Sequence, residues 1–143
     1  MVVNQVSVFV ENKQGSLSAV TGILANAGID IRAFTVADTT DFGILRMIVN
    51  DPDRAVEALR AGGIAATKTA VLAVALQDEP GSMHNVMTVL SENSISVEYG
   101  YAFISRRKET AYILVKVTEI ERASEILAKA GMPLVSAEEV YAL

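Results

Sequence analysis

A polar segment leading into a helix start occurs twice in this chain, and that repetition limits the available folds more than any other feature. Glu11-Asn12-Lys13-Gln14-Gly15-Ser16-Leu17 follows an alternating apolar stretch, and Gln77-Asp78-Glu79-Pro80-Gly81-Ser82-Met83 does the same 66 residues later. The offset persists, because Asn26-Ala27-Gly28-Ile29-Asp30-Ile31 corresponds to Glu92-Asn93-Ser94-Ile95-Ser96-Val97. Arg54-Ala55-Val56-Glu57-Ala58-Leu59 then corresponds to Arg122-Ala123-Ser124-Glu125-Ile126-Leu127 at an offset of 68, as a two-residue insertion in one hairpin would give. A chain of 143 residues built this way divides into two small units, expected at residues 1–68 and 69–143.

The same order of elements is predicted in each half. Val6, Val8 and Val10 alternate with Ser7 and Phe9 as in a strand, and Leu17, Val20, Ile23, Leu24 and Ala27 then recur at helical spacing up to Gly28. Two extended runs follow, Ile29 to Ala37 and Phe42 to Val49, joined by the turn-forming Asp38-Thr39-Thr40-Asp41. A helix starts at Asp51-Pro52 and stops at Gly62-Gly63, and a last strand begins near Ile64. In the second half the corresponding strand is Val71 to Leu76, followed by a helix from Ser82 to Asn93 and strands Ile95 to Ile104 and Ala111 to Val117. Thr118 with Glu121 has capping-box spacing for another helix, Leu134-Val135 give a final strand, and Ala137 to Leu143 form a tail with room for one helical turn.

Each half is therefore βαββαβ, an α+β pattern. With right-handed crossovers it gives the ferredoxin-like arrangement, an antiparallel sheet with both helices on one face. Units of this size are marginal alone, so packing together or dimerisation is expected. The surfaces expected to be buried are strand Val71 to Leu76 and the row Ile95, Val97, Tyr99, Tyr101 and Phe103, which period two places on one side.

Composition removes several functions. With no Cys there is neither a disulfide framework nor a thiol nucleophile nor a thiolate metal site, which fits a reducing, cytoplasmic setting. A net charge of -5 argues against nucleic acid as a partner, and the basic cluster Arg106-Arg107-Lys108 reads as a hairpin tip. The apolar run Ala70 to Leu76 is far short of the roughly 20 residues that span a membrane, and the N-terminus has no basic leader. No membrane association is expected.

Catalytic residues are equally sparse. His84 has no second His or Cys to complete a metal site, and the carboxylate pairs Glu138-Glu139 and Asp38/Asp41 lie on a tail and a turn. No Gly-x-Ser-x-Gly elbow or phosphate-binding Gly-Lys-Ser/Thr loop is present. The expectation is a non-enzyme without cofactor or metal.

What the chain offers twice is a glycine-led helix start. N–H groups at Gly15, Ser16 and Leu17, and at Gly81, Ser82 and Met83, suit a carboxylate or phosphate through the helix dipole; equally, Ser16 and Ser82 could serve only as helix caps.

These loops, with Gly28-Ile29-Asp30-Ile31 in the first half and Ser94-Ile95-Ser96-Val97 in the second, resemble the ACT domain, a small regulatory module that binds amino acids. The two copies cover nearly the whole chain, similar to free-standing tandem ACT proteins. The resemblance implies ligand contacts at Asn12 and Asp30 in the first repeat and at Asp78 and Ser96 in the second, across an interface between domains. A histidine that assists serine-sensing members is replaced by Val10 in the first repeat, which argues against serine. On this basis an amino acid's carboxylate is expected at the helix starts, its ammonium at Asp30 or Asp78, and its side chain among Leu17, Met83, Phe42, Gly43 and Ile44. The implied function is a non-catalytic amino-acid sensor acting on amino-acid metabolism, expected as a homodimer and with a biosynthetic enzyme as a possible partner. The competing readings are an interaction module with vestigial ligand loops and a small enzyme of the acylphosphatase kind. The second lacks the arginine-bearing glycine loop it would need, Lys13 and Arg32 being the nearest cations.

Overall fold

The computed structural model of the chain describes residues 2–103 and 108–143. Its backbone separates into two compact units, one of residues Asn4–Thr69 and one of Ala70–Leu143 with the extreme N-terminus.

The first unit contains β1 (Val3–Glu11), α1 (Ser16–Asn26), β2 (Ile31–Asp38), β3 (Phe42–Val49), α2 (Pro52–Ala61) and the start of β4 (Ala66–Gln77). Strand β3 pairs antiparallel with both β1 and β2, with Val6 opposite Met47 and Phe34 opposite Met47. Directly paired residues share a face, so Val6, Val8, Val10, Leu45 and Met47 form one apolar row. That row meets Val20 and Leu24 of α1 and Ala55, Val56 and Leu59 of α2 in a single core. Helix α2 is fixed at its start by Asp51, whose carboxylate accepts the Arg54 N–H at 3.1 Å, with Pro52 in the first turn. The turn between β2 and β3 closes as expected, Thr39 N–H donating to the Phe42 carbonyl at 2.7 Å.

The second unit repeats this with the rest of β4, α3 (Ser82–Glu92), β5 (Val97–Phe103), β6 (Thr110–Val117) and α4 (Ile120–Lys129), followed by α5 (Ala137–Tyr141). Strand β6 pairs antiparallel with β4 and β5. Leu72, Val74, Ile113, Val115 and Val117 pack against Val86, Leu90, Ala123 and Leu127. Strand β4 is one uninterrupted run of 12 residues, so the last strand of the first repeat continues without a break into the first strand of the second.

Three expectations change. The closing strand at Leu134-Val135 is reduced to a bridge between Leu134 and Val74, held by Ala75 N–H to the Pro133 carbonyl and Val135 N–H to the Ala73 carbonyl, each 2.9 Å. Thr118 does not cap α4. Glu119 occupies that position and pairs with Arg122 at 3.0 Å, while the Thr118 N–H is spent on the Ser96 carbonyl. The row Ile95, Val97, Tyr99, Tyr101 and Phe103 is split between faces, because the register slips between Val97 and Tyr99. Ile95 and Val97 belong to the helix-side core, whereas Tyr101 and Phe103 pair with Leu114 and Tyr112 on the opposite face, the Phe103 and Tyr112 rings 5.1 Å apart. The tail, by contrast, forms the expected turn, α5, capped by Ser136 Oγ accepting the Glu139 N–H. Ile104, Arg106 and Arg107 lie outside the described residues, and Lys108 is exposed.

Leu24 and Leu90 occupy equivalent helix positions and are both fully buried. Replacing either by Ala should cost about 2–5 kcal/mol in urea-induced unfolding. A loss below about 1 kcal/mol at either would mean that the repeat's core is not packed as described.

Candidate functional site

Both glycine loops fold by the same local rule. A strand ends, the chain tightens by a hydrogen bond two residues back, and a left-handed glycine opens the helix. In the first repeat Lys13 N–H donates to the Glu11 carbonyl at 2.9 Å, and Gly15, at φ 88°, takes the N-cap position of α1. In the second, Glu79 N–H donates to the Gln77 carbonyl at 2.9 Å, and Gly81 has φ 93°. Neither helix has a side-chain cap, so Ser16 and Ser82 stand inside the first turn and do not perform the capping role open to them. Their own N–H groups are engaged, Ser16 with the Lys13 carbonyl at 3.3 Å and Ser82 with the Glu79 carbonyl at 3.4 Å. The anion-facing donors of each helix start are therefore fewer than the three expected, with those of Leu17 and Met83 foremost among first-turn groups that lack an intrahelical acceptor.

Each loop also holds the neighbouring hairpin. Asn12 N–H donates to the Asp41 carbonyl at 2.9 Å and its Nδ2 to the Thr40 carbonyl at 3.4 Å; Asp78 N–H donates to the Glu109 carbonyl at 2.8 Å. Asn12 thus has a structural task besides any ligand contact.

A cavity opens beside each loop, between the strand end, the helix start and the glycine that closes the second helix. In the first repeat it measures about 470 Å³ and is lined by Phe9, Glu11, Lys13, Gly15, Ser16, Gly63 and Ile64, among others. The second measures about 440 Å³, with Ala75, Gln77, Glu79, Ser82, Gly131 and Met132 at corresponding places. Charge differs between them. Lys13 pairs with Glu11 at 2.7 Å, and that hydrogen bond and the carboxylate's charge push the lysine pKa up from its ordinary value. Glu79 stands where the first repeat has Lys13, and a further cavity beside it gathers Asp78, Glu79 and Glu109 with Lys108.

The remaining residues singled out in the sequence lie elsewhere. Asp30 and Ser96 follow the far ends of α1 and α3. Eleven residues at 1.5 Å rise separate Asp30 from Gly15 by about 16 Å, too far for one amino acid to touch both within a repeat. Asp30 forms an ion pair with Arg32 at 2.7 Å, and its N–H donates to Asn50 Oδ1 at 2.9 Å. The Ser96 carbonyl accepts from Thr118. Phe42 and Ile44 lie with Phe9 on the face away from the helices, and Gly43 lies on the helix side opposite Val10. None of the three lines the glycine-loop cavity. Leu17 and Met83 are exposed at matching positions, 44% and 45%.

One element escaped the sequence reading. Between Ile31 and Ala33 the register of β2 slips by one residue, leaving Arg32 as a bulge; Glu98 occupies the same place in β5 and pairs with Lys116 at 3.2 Å. A polar residue in an alternating strand looks the same whether or not it is bulged, so composition gave no signal beyond the charge itself.

Among the described residues, no group of three or more His, Asp or Glu is placed to hold a metal ion, and no helix is long and apolar enough to cross a membrane. His84 is exposed, its Nε2 3.4 Å from Thr88 Oγ1.

The chain matches a family model described as an ACT domain pair over residues 1–143. It is similar to the crystal structure of protein BT0572 from Bacteroides thetaiotaomicron, with TM-score 0.94 and 35% identity over 100% of this chain and 98% of that one. It shares its fold with the ligand-free regulatory subunit of aspartate kinase from Thermus thermophilus, at TM-score 0.61 and 14% identity over 89% and 91% of the two chains. Aspartokinase alpha and beta subunits share it as well, at TM-score 0.58 and 18% identity over 90% and 91%. No curated protein sequence matches the chain.

An added Cβ at Gly15 or Gly81 would meet no atom within 4 Å, so substitution there tests backbone conformation alone. Gly15→Ala and Gly81→Ala should each lower stability by about 1–2 kcal/mol through the left-handed φ. An unchanged urea midpoint would show that the loop does not depend on that conformation.

Proposed function

The chain belongs to the ACT domain pair family, and from that premise we propose that it is a non-catalytic regulatory protein that binds a free amino acid and modulates amino-acid metabolism in the cytoplasm. The observation that carries this reading is the repetition, bond for bond, of a glycine-opened helix start beside a cavity of about 470 Å³ in one repeat and about 440 Å³ in the other. An exposed helix N-terminus attracts a carboxylate, and cavities of this size suit a small ligand. Aspartate kinase, whose regulatory subunits share the fold, is an enzyme of amino-acid metabolism, and this agrees with the reading.

The ligand contacts are assigned to Asn12, Gly15, Ser16 and Leu17 in the first repeat and to Asp78, Gly81, Ser82 and Met83 in the second. Asp30 and Ser96 take part from a second copy of the chain, since neither reaches the loop of its own repeat. The pairing surface is supplied by Phe9 and Phe42, 69% and 54% exposed on the outer face of the first unit, with Ile44 beside them. Large apolar groups gathered in this way mark an interaction surface. They equally favour the second reading, an interaction module that pairs with itself or with a biosynthetic enzyme and binds no small molecule.

Thermal unfolding against each common amino acid at about 1 mM separates the two readings. A ligand with a dissociation constant near 10 μM stabilises by about 2.7 kcal/mol and should raise the midpoint by roughly 5–10 °C. A cooperative melt that no amino acid shifts would favour the interaction module.

A further inference from the structure

The bulge at Arg32 opens onto a cavity distinct from the glycine loops. About 410 Å³ in volume, it lies between α1 and the paired strands β2 and β3, with Leu17 and Thr21 on one side and Ile31, Phe34, Leu45 and Met47 on the other. Arg32 is its one charged wall. Strand bulges re-aim side chains and cluster beside functional sites, and this one sets a guanidinium against hydrocarbon.

That guanidinium is incompletely satisfied. Its Nη1 lies 2.7 Å from Asp30 Oδ2, but its Nε is buried and has no hydrogen-bond partner. An arginine presents donors in a fixed fork that suits the two oxygens of a carboxylate, and a buried orphan donor in a folded protein calls for a missing acceptor. The Arg32 side chain is 21% exposed and Asp30 61%, so the acid end of the pair faces water while the basic end turns inward. Phe34, at 65% exposure, leaves apolar surface open at the rim.

We propose that this cavity binds a zwitterionic α-amino acid with a bulky apolar side chain, of the valine, leucine, isoleucine, methionine or phenylalanine class. Its carboxylate takes the Nε–Nη2 edge of Arg32, giving Nε the acceptor it lacks after a small rotation of the side chain. Its ammonium meets the outward oxygen of Asp30, and its hydrocarbon enters between Thr21, Ile31 and Met47. An ion pair at the mouth of an apolar cavity is complementary to such a molecule at both charges and along its side chain. The second repeat carries Glu98 at the bulge, with Gly100 where the first has Phe34, so this site belongs to the first repeat alone. The proposal rests on the amino-acid-binding reading and adds to the glycine-loop contacts a separate site, with a stated side-chain class, in which Asp30 acts within its own repeat.

Isothermal titration of the full chain with the five amino acids, and with the remaining common amino acids alongside them, tests it. At least one of the five should bind at one site per chain that depends on Arg32. Its deaminated and decarboxylated analogues, 4-methylpentanoate and isoamylamine for leucine, should bind at least tenfold more weakly. Arg32→Gln should weaken binding at least tenfold. Thr21→Phe, an exposed position on α1 that fills the cavity without touching the ion pair, should do the same in a protein whose circular dichroism is unchanged. Binding that survives both substitutions, or that fails only in Gly15→Val and Gly81→Val, would overturn the cavity and leave the amino-acid reading standing. So would binding of polar amino acids alone. Binding of no amino acid of any kind would overturn both.

Discussion

The pairing of one central strand with two neighbours governs this structure in each repeat. Strand β3 fixes the register of β1 and β2, and β6 does the same for β4 and β5. Since directly opposed residues share a face, these pairings decide which valines and leucines reach the helices and which side chains are left on the other side. The helices follow from that row. They lie where Val20, Leu24 and Leu59, or Val86, Leu90 and Leu127, can cover it. The glycine loops are the short connections by which the first helix of each repeat returns across the sheet, so their geometry is inherited from the strand that precedes them.

Much of this was legible in the sequence because it depends on local rules. The repeated Gly-Ser-apolar start, the strand Phe42 to Val49 and the proline-led start at Pro52 each follow from a few neighbouring residues. The C-terminal closure was less legible, because two apolar residues, Leu134 and Val135, fit a strand and a single bridge equally well. The α4 start was misread for a related reason. Thr118 and Glu121 have cap spacing, but the Thr118 N–H is taken by Ser96, a residue more than twenty positions away. Both bulges were invisible because period-two alternation assumes an unbroken register, and Tyr99, Tyr101 and Phe103 therefore changed face without any change in the pattern of letters.

The candidate sites show the same division. The glycine loops could be found from sequence because backbone conformation demands glycine there. The Arg32 cavity could not, because it needs a helix, two strands and a one-residue slip to come together. Comparison of the repeats adds a chemical point: the backbone was kept while the charges were not. Lys13 has Glu79 as its counterpart, and Arg32 has Glu98. Two sites on one scaffold that carry opposite charges are suited to different ligands or to different duties, so equivalence of fold does not carry equivalence of chemistry.

The unbroken run of β4 bears on how such a protein can change over time. A cut between Thr69 and Ala70 falls within a continuous strand, so each piece would end in a strand stub whose hydrogen bonds were set by the intact run. Recombination that moved one repeat without the other would carry that defect with it. A single repeat taken alone would therefore need a new end to this strand, whereas the pair carries it whole.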